Sequence, residues 1–251
     1  LAGRPYHQDG FVNHDLSRHF TRLGVPVIVP DAYPLARTDV SRVRSEILNP
    51  FHSRMYAAAL HGARDPRLEV AEVVSFGCGH DAVISDEMER VLRELGDKSL
   101  LILKLDEGDA RGPLRIRIQS FVETVRKNRA RKALEVPRKP GELSDPFPVK
   151  FRKSDREKMT VLVPNLAPAF GPMITAVLHR EGYQTVLLAE ADDRAVQLGK
   201  RFVHNDTCFP AQINVGEALR AFECGAANPK NSALAVAKNC QECRAGQYAV
   251  L

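Results

Sequence analysis

The sequence predicts an α/β protein of two open parallel-sheet lobes joined by a basic linker. Three observations predict it. Short apolar runs alternate with helical patterns from the start of the chain to about residue 125. A Pro-containing basic stretch then interrupts the rhythm, and the alternation restarts at Met159. Strands alternating with helices of this length imply parallel sheets whose faces are covered by helices.

In the first part, Leu16, Phe20 and Leu23 have helical spacing and Gly24 supplies a stop. Val25 to Val29 reads as a short buried strand, and His52 to Ala63 as an alanine-rich helix. Leu68 to Phe76 reads as a second strand. Asp81 to Leu95 is the clearest helix, with Ile84, Met88, Val91 and Leu95 on one face and Gly96 as its stop. Ser99 to Leu105 follows as a buried strand, and Leu114, Ile118, Phe121 and Val125 mark another helix.

Residues 126–158 hold 12 Lys/Arg against 5 Asp/Glu, together with Pro137, Pro140, Gly141, Pro146 and Pro148. That composition reads as a solvated linker. Beyond it, Met159 to Val163 reads as a strand. Pro168 to Arg180 reads as a helix with Ile174, Val177 and Leu178 inside and Gly182 after it. Gln184 to Leu188 is a strand, Ala211 to Phe222 a helix closed by Gly225, and Ser232 to Ala237 a weaker strand, since alanine is a poor strand former. The expected organisation is a first lobe at residues 1–128, a linker at 129–158 and a second, truncated lobe at 159–251. Each lobe is expected to be of the Rossmann or flavodoxin kind.

The chain has 251 residues, enough to bury a full core, and its 44% apolar and 27% charged composition is that of an ordinary globular protein. No apolar run approaches the roughly 20 residues of a membrane helix. No basic-then-apolar leader is visible. Five cysteines without a dense pattern argue against a disulfide framework, so the expected compartment is reducing and cytoplasmic. The chain opens at Leu1-Ala2-Gly3, like a strand running into a turn, and stops eight residues after Cys243. The expectation is a piece of a longer polypeptide. The net charge of +5 would suit nucleic acid, but outside residues 126–158 the chain holds 24 basic and 26 acidic residues. Groove binders spread basic residues over a folded face, so no nucleic-acid partner is expected.

Three cysteines occupy similar places. Cys78 lies in Gly77-Cys78-Gly79 after an apolar run, Cys208 follows the capping sequence Asn205-Asp206-Thr207, and Cys243 follows another apolar run. Open α/β sheets gather ligands at the carboxyl ends of their strands, and a helix amino end favours a thiolate, the metal-binding form. Three convergent thiolates would make an iron–sulfur site. The bland alternatives are a tight turn and a helix cap with incidental buried cysteines, because free Cys packs like a small apolar residue. Cys240 and Cys243 form a C-x-x-C suited to metal or to thiol–disulfide exchange, but no second C-x-x-C or paired His completes a zinc set. Cys224 beside Gly225 reads as structural. Gly3-Arg4-Pro5-Tyr6-His7 is either a phosphate- or acyl-CoA-binding loop or a turn with a hydrogen-bonded His. It carries no nucleotide fingerprint. Asp106-Glu107-Gly108 reads as an exposed acidic turn.

Several motifs in order resemble a known family. They are Gly3-Arg4-Pro5-Tyr6-His7 with Asn13-His14, Ser75 to Ala82, Leu103-Lys104-Leu105-Asp106-Glu107 and Arg115-Ile116-Arg117. Asn205 to Pro210 and Cys243-Arg244-Ala245-Gly246-Gln247-Tyr248 complete the set. Together they resemble the carboxyl-terminal region of the large activase-related proteins associated with 2-hydroxyacyl-CoA dehydratases, which work in anaerobic metabolism. The resemblance spans nearly the whole chain. It implies a relation to the cluster-carrying dehydratase subunits, with Cys78, Cys208 and Cys243 as ligands of a [4Fe-4S] or larger iron–sulfur cluster. It further implies low-potential electron transfer from an ATPase activase domain or subunit, and an acyl-CoA as candidate substrate. If the chain is an enzyme, the resemblance implies an ATP-coupled iron–sulfur reductase or a dehydratase-like component. Cys240 stands where the family pattern has a small residue, so it is an alternative ligand or a bystander. No ATPase motif is present. A non-catalytic scaffold holding zinc or no metal, in a homo- or hetero-oligomer, is the alternative.

Overall fold

The computed structural model describes residues 1–43, 50–75, 79–105, 111–134, 141–145, 149–165 and 167–236. They form a mixed α/β chain with two small parallel sheets and, among the described residues, seven α-helices. Two compact units divide the chain, one of residues 1–77 and 84–145, the other of residues 78–83 and 146–251.

The first unit runs β1 (Ala2–Gly3), α1 (Leu16–Thr21), α2 (Pro50–Arg64), β2 (Ala71–Ser75), α3 (Gly79–Gly96) from residue 84 onward, β3 (Leu101–Leu105) and α4 (Arg111–Lys132). The strands are parallel in the order β1-β2-β3, with Val73 paired to Gly3 on one side and Leu103 on the other. One apolar layer joins Met55, Tyr56 and Leu60 of α2 to Ile84, Met88, Val91 and Leu92 of α3. A second joins Val73, Leu101, Leu103 and Leu105 of the sheet to Leu16 and Phe20 of α1 and Leu114, Ile118 and Val122 of α4. Ala71 and Val73 of β2 point into this second layer.

Three expectations are corrected in this unit. Val25 to Val29 is not a strand of the sheet. Pro26 removes a ladder donor, and Val25 and Val27 instead pack against the second apolar layer as an irregular segment. Gly96 is not the left-handed stop of its helix. It is the last residue of α3, where a Cβ would come within 2.5 Å of the Ala63 carbonyl oxygen, and Asp97 takes the left-handed conformation at φ 49°. The start of the basic segment is helical rather than linker, since α4 continues to Lys132. Lys98 then locks the end of α2, its ammonium donating to the carbonyls of Gly62, Asp65 and Leu68 at 2.6, 2.7 and 2.7 Å.

The second unit runs β4 (Thr160–Val163), α5 (Gly171–Arg180), β5 (Gln184–Leu187), α6 (Asp193–Phe202), α7 (Phe209–Glu223) and β6 (Ser232–Leu234). Its parallel sheet has the order β5-β4-β6, so the chain steps to one side of β4 and then returns to the other. Leu162, Val186 and Leu234 point to one face and pack with Leu188, Ala218, Ala221 and Phe222. Gly171 meets the other face, where a Cβ would lie 2.8 Å from Leu187 Cδ1. The expectation that Ile174 and Val177 lie inside is overturned: Phe170, Met173, Ile174 and Val177 form an exposed stripe along α5. Helix α6, absent from the expected elements, forms an antiparallel pair with α7. The pair approaches through glycine, a Cβ on Gly199 or Gly216 falling 2.0 Å from the carbonyl oxygens of Gln212 and Ala195.

Candidate functional site

Cys208 is the N-cap of the fifteen-residue helix α7, with extended dihedrals of φ −62° and ψ 147°. Pro210 sits in the first turn, where its missing N–H costs nothing, and the Ala211 N–H donates to the Cys208 carbonyl at 3.0 Å. The local sequence therefore breaks one segment and opens the next at the cysteine. Cys208 is half-buried, whereas the preceding Thr207 is buried. The Thr207 hydroxyl has no hydrogen-bond partner among the described residues. Gln212 donates from Nε2 to the Thr207 carbonyl at 3.4 Å and holds the turn against the helix.

The placement of this turn follows from the sheet. The Glu217 carboxylate accepts the N–H of Asn165 at 3.0 Å, and Asn165 stands two residues past β4. Helix α7 must return the chain to the start of β6, so it runs antiparallel to the strands. Its Cys208 end therefore projects past the carboxyl edge of the sheet, about 13 Å along the helix from Glu217. This is the edge at which open α/β sheets bind ligands. Burial pushes the Glu217 carboxyl above its ordinary range, opposed by the Asn165 hydrogen bond.

Of the predicted ligands, only Cys208 falls on described residues. Cys78, on the connection from β2 to α3, and Cys240 and Cys243, beyond β6, lie outside them, as do Asp106, Glu107 and Gly108. The structure therefore does not bring the three cysteines together or separate them. Among the described residues no group of three or more His, Cys, Asp and Glu side chains is arranged to hold a metal ion. Of such a site the described residues hold one cysteine and its surroundings. A cysteine at a helix amino end meets favourable dipole charge, and a buried hydroxyl without a partner is a donor of the kind cluster sulfurs accept. Cys224 caps the other end of α7, is exposed, and directs its thiol to the Ala221 carbonyl at 3.6 Å, as a structural cysteine would.

No protein-family model, curated protein or solved structure matches this chain.

The loop after β1 holds the hydrogen-bonded His expected of a turn. His7 is 2% exposed and its Nδ1 hydrogen-bonds the Arg4 carbonyl. Its Nε2 faces the Asp31 carboxylate at 4.0 Å, and Asp31 in turn accepts from Gln8 and Arg54. Burial lowers the His7 pKa, with the Arg4 hydrogen bond and Asp31 working against it. Asn13 donates to the His7 carbonyl at 2.7 Å and closes the turn. Asp31 and Arg54 carry no sequence signal, because they meet His7 only through folding across 20 or more residues.

Proposed function

We propose that this chain is an iron–sulfur cluster-binding redox module related to the 2-hydroxyacyl-CoA dehydratase and activase systems. It is built from two Rossmann- or flavodoxin-like lobes joined by a basic linker. The observation that carries the reading is Cys208 at the amino end of α7, past the carboxyl edge of β5-β4-β6, beside the buried Thr207 hydroxyl, which has no partner among the described residues. Cys78 and Cys243 follow β2 and β6 in sequence, so each succeeds a parallel strand at the kind of position where such sheets hold ligands.

In this reading Cys78, Cys208 and Cys243 hold a [4Fe-4S] or larger cluster, with Cys240 as an alternative ligand. The cluster supplies low-potential one-electron transfer, the electron coming from an ATPase partner or domain. The chain's own residues hold and tune it. Three thiolates anchor it, Thr207 donates a hydrogen bond, and burial limits water.

The test is anaerobic purification with iron and sulfide analysis and EPR, on the wild type and on Cys78→Ala, Cys208→Ala and Cys243→Ala. The expected result is a reducible cluster signal in the wild type and loss of iron in each variant, with far-UV circular dichroism unchanged. A folded wild type that takes up no iron on reconstitution would sink the proposal. Zinc or no metal would then leave the scaffold reading in its place.

A further inference from the structure

The first unit carries a strongly charged face that the cluster reading does not use. Residues 111–132, which make up α4, hold eight Lys/Arg and one acidic residue, Glu123. Leu114, Ile118 and Val122 bury one side of the helix. One flank beside that side carries Arg111, Arg115, Arg126 and Arg129, which recur at spacings of three, four and eleven residues. The end of α1 lies against this flank, for Arg126 Nη2 donates to the Leu23 carbonyl at 2.6 Å. Arg18 and Arg22 add two exposed guanidinium groups from α1.

Part of this charge is neutralised locally. Arg126 pairs with Glu123 at 2.6 Å, Arg129 with Glu69 at 2.9 Å, and Arg18 with Asp15 at 3.4 Å. No carboxylate among the described residues pairs with Arg22 or Arg115, and both are exposed. Their field reaches His19, whose pKa is lowered by burial first and then by Arg22, Arg115 and Arg111.

We propose that the arginine flank shared by α1 and α4 is a docking surface for an acidic protein. Arginine is enriched at protein interfaces and binds carboxylates bidentately. Nucleic acid fits less well. Phe20 is buried and Phe121 half-buried, so α1 and α4 present no exposed aromatic on which a base could stack.

The test measures binding of fluorescent poly-L-glutamate, and of a 20-nucleotide single strand and duplex, by anisotropy at graded salt. It compares the wild type with Arg22→Glu/Arg115→Glu and with a control of equal charge change, Lys153→Glu/Lys158→Glu. Circular dichroism checks that each variant folds. The expected result is polyglutamate binding that weakens with salt, falls about tenfold in the Arg22/Arg115 variant and changes less than about twofold in the control. The same variant should raise the His19 pKa measured by NMR. Equal loss in both variants would reduce the effect to net charge and overturn the proposal. So would undetectable binding of polyglutamate. Tighter, Arg22/Arg115-dependent binding of either oligonucleotide would replace the protein partner with nucleic acid. None of these outcomes depends on iron content.

Discussion

At the scale of single residues, Glu217 shows how a polar group is spent on placing the site. Its carboxyl is 4% exposed, yet it accepts the backbone N–H of Asn165 and so ties α7 to the end of β4. Burial penalises its charged form, so the folded protein holds the proton to a higher pH than the unfolded chain does. A raised folded pKa contributes stability that is complete below the ordinary carboxyl range and is lost as pH rises through the folded pKa. Glu217→Gln keeps an acceptor for Asn165 without the charge. Its stability relative to wild type should therefore rise between pH 4.5 and pH 7.5 in urea titrations. A gap that stays constant with pH would contradict the assignment. Glu217→Leu leaves the Asn165 N–H without its acceptor and should cost about 1–3 kcal/mol.

At the scale of elements, the α6–α7 pair depends on two glycines. A Cβ on Gly216 would fall 2.0 Å from the Ala195 oxygen, a backbone atom that cannot rotate away. Gly216→Ala should therefore force the helices apart and cost about 3 kcal/mol in chemical denaturation, at the upper end of overpacking effects. Gly112→Ala, on α4 with nothing within 4 Å of its added Cβ, is the control and should leave stability unchanged or slightly raised. The same pair explains what periodicity could and could not read. Helix α3 was legible because large side chains, Ile84, Met88, Val91 and Leu92, mark its buried face. Helix α6 was missed although its pattern is amphipathic: Ala195, Leu198 and Gly199 are buried on one side, while Asp193, Arg194, Lys200 and Arg201 lie exposed on the other. A second signal was Asp192, whose carboxylate caps the Ala195 N–H at 2.7 Å. Helix α5 was found but its faces were misassigned, since Gly171 and not Ile174 meets the sheet and a glycine contact is invisible to hydrophobicity. The parallel sheets were legible in kind. The β5-β4-β6 order was not, because strand order depends on pairing across the chain and not on local pattern. At the candidate site the sequence marked Cys208 through its capping context, whereas the buried Thr207 hydroxyl became visible only when packing removed its solvent.

At the scale of the whole molecule, His7 and His19 in the first unit and Glu217 in the second shift stability with pH in opposite senses, while the first unit also buries the Glu72 carboxylate. In the first unit His7 and His19 have lowered pKa values, each with burial as the largest cause. Below about pH 6.5 the unfolded chain binds more protons than the folded unit at these sites, so the stability of that unit falls as pH falls. In the second unit the sign is reversed, because Glu217 takes its proton more readily when folded. The carboxylates held low by partners, Asp65 by Arg67 in the first unit, and Asp192 by the Ala195 N–H and Arg220, and Glu223 by Arg194, in the second, stay ionised below the ordinary carboxyl range. They do not blur the comparison. Hydrogen exchange at pH 7 and pH 5.5, corrected for intrinsic rates, should show falling protection at Val73 and Leu103. Protection at Leu162 and Val186 should be level or rising. His7→Asn preserves a side-chain N–H that can reach the Arg4 carbonyl but removes one of the two titrations, so it should weaken the response of the first unit and leave that of the second unchanged. A uniform loss of protection across both sheets, unchanged in His7→Asn, would place the acid sensitivity elsewhere in the chain.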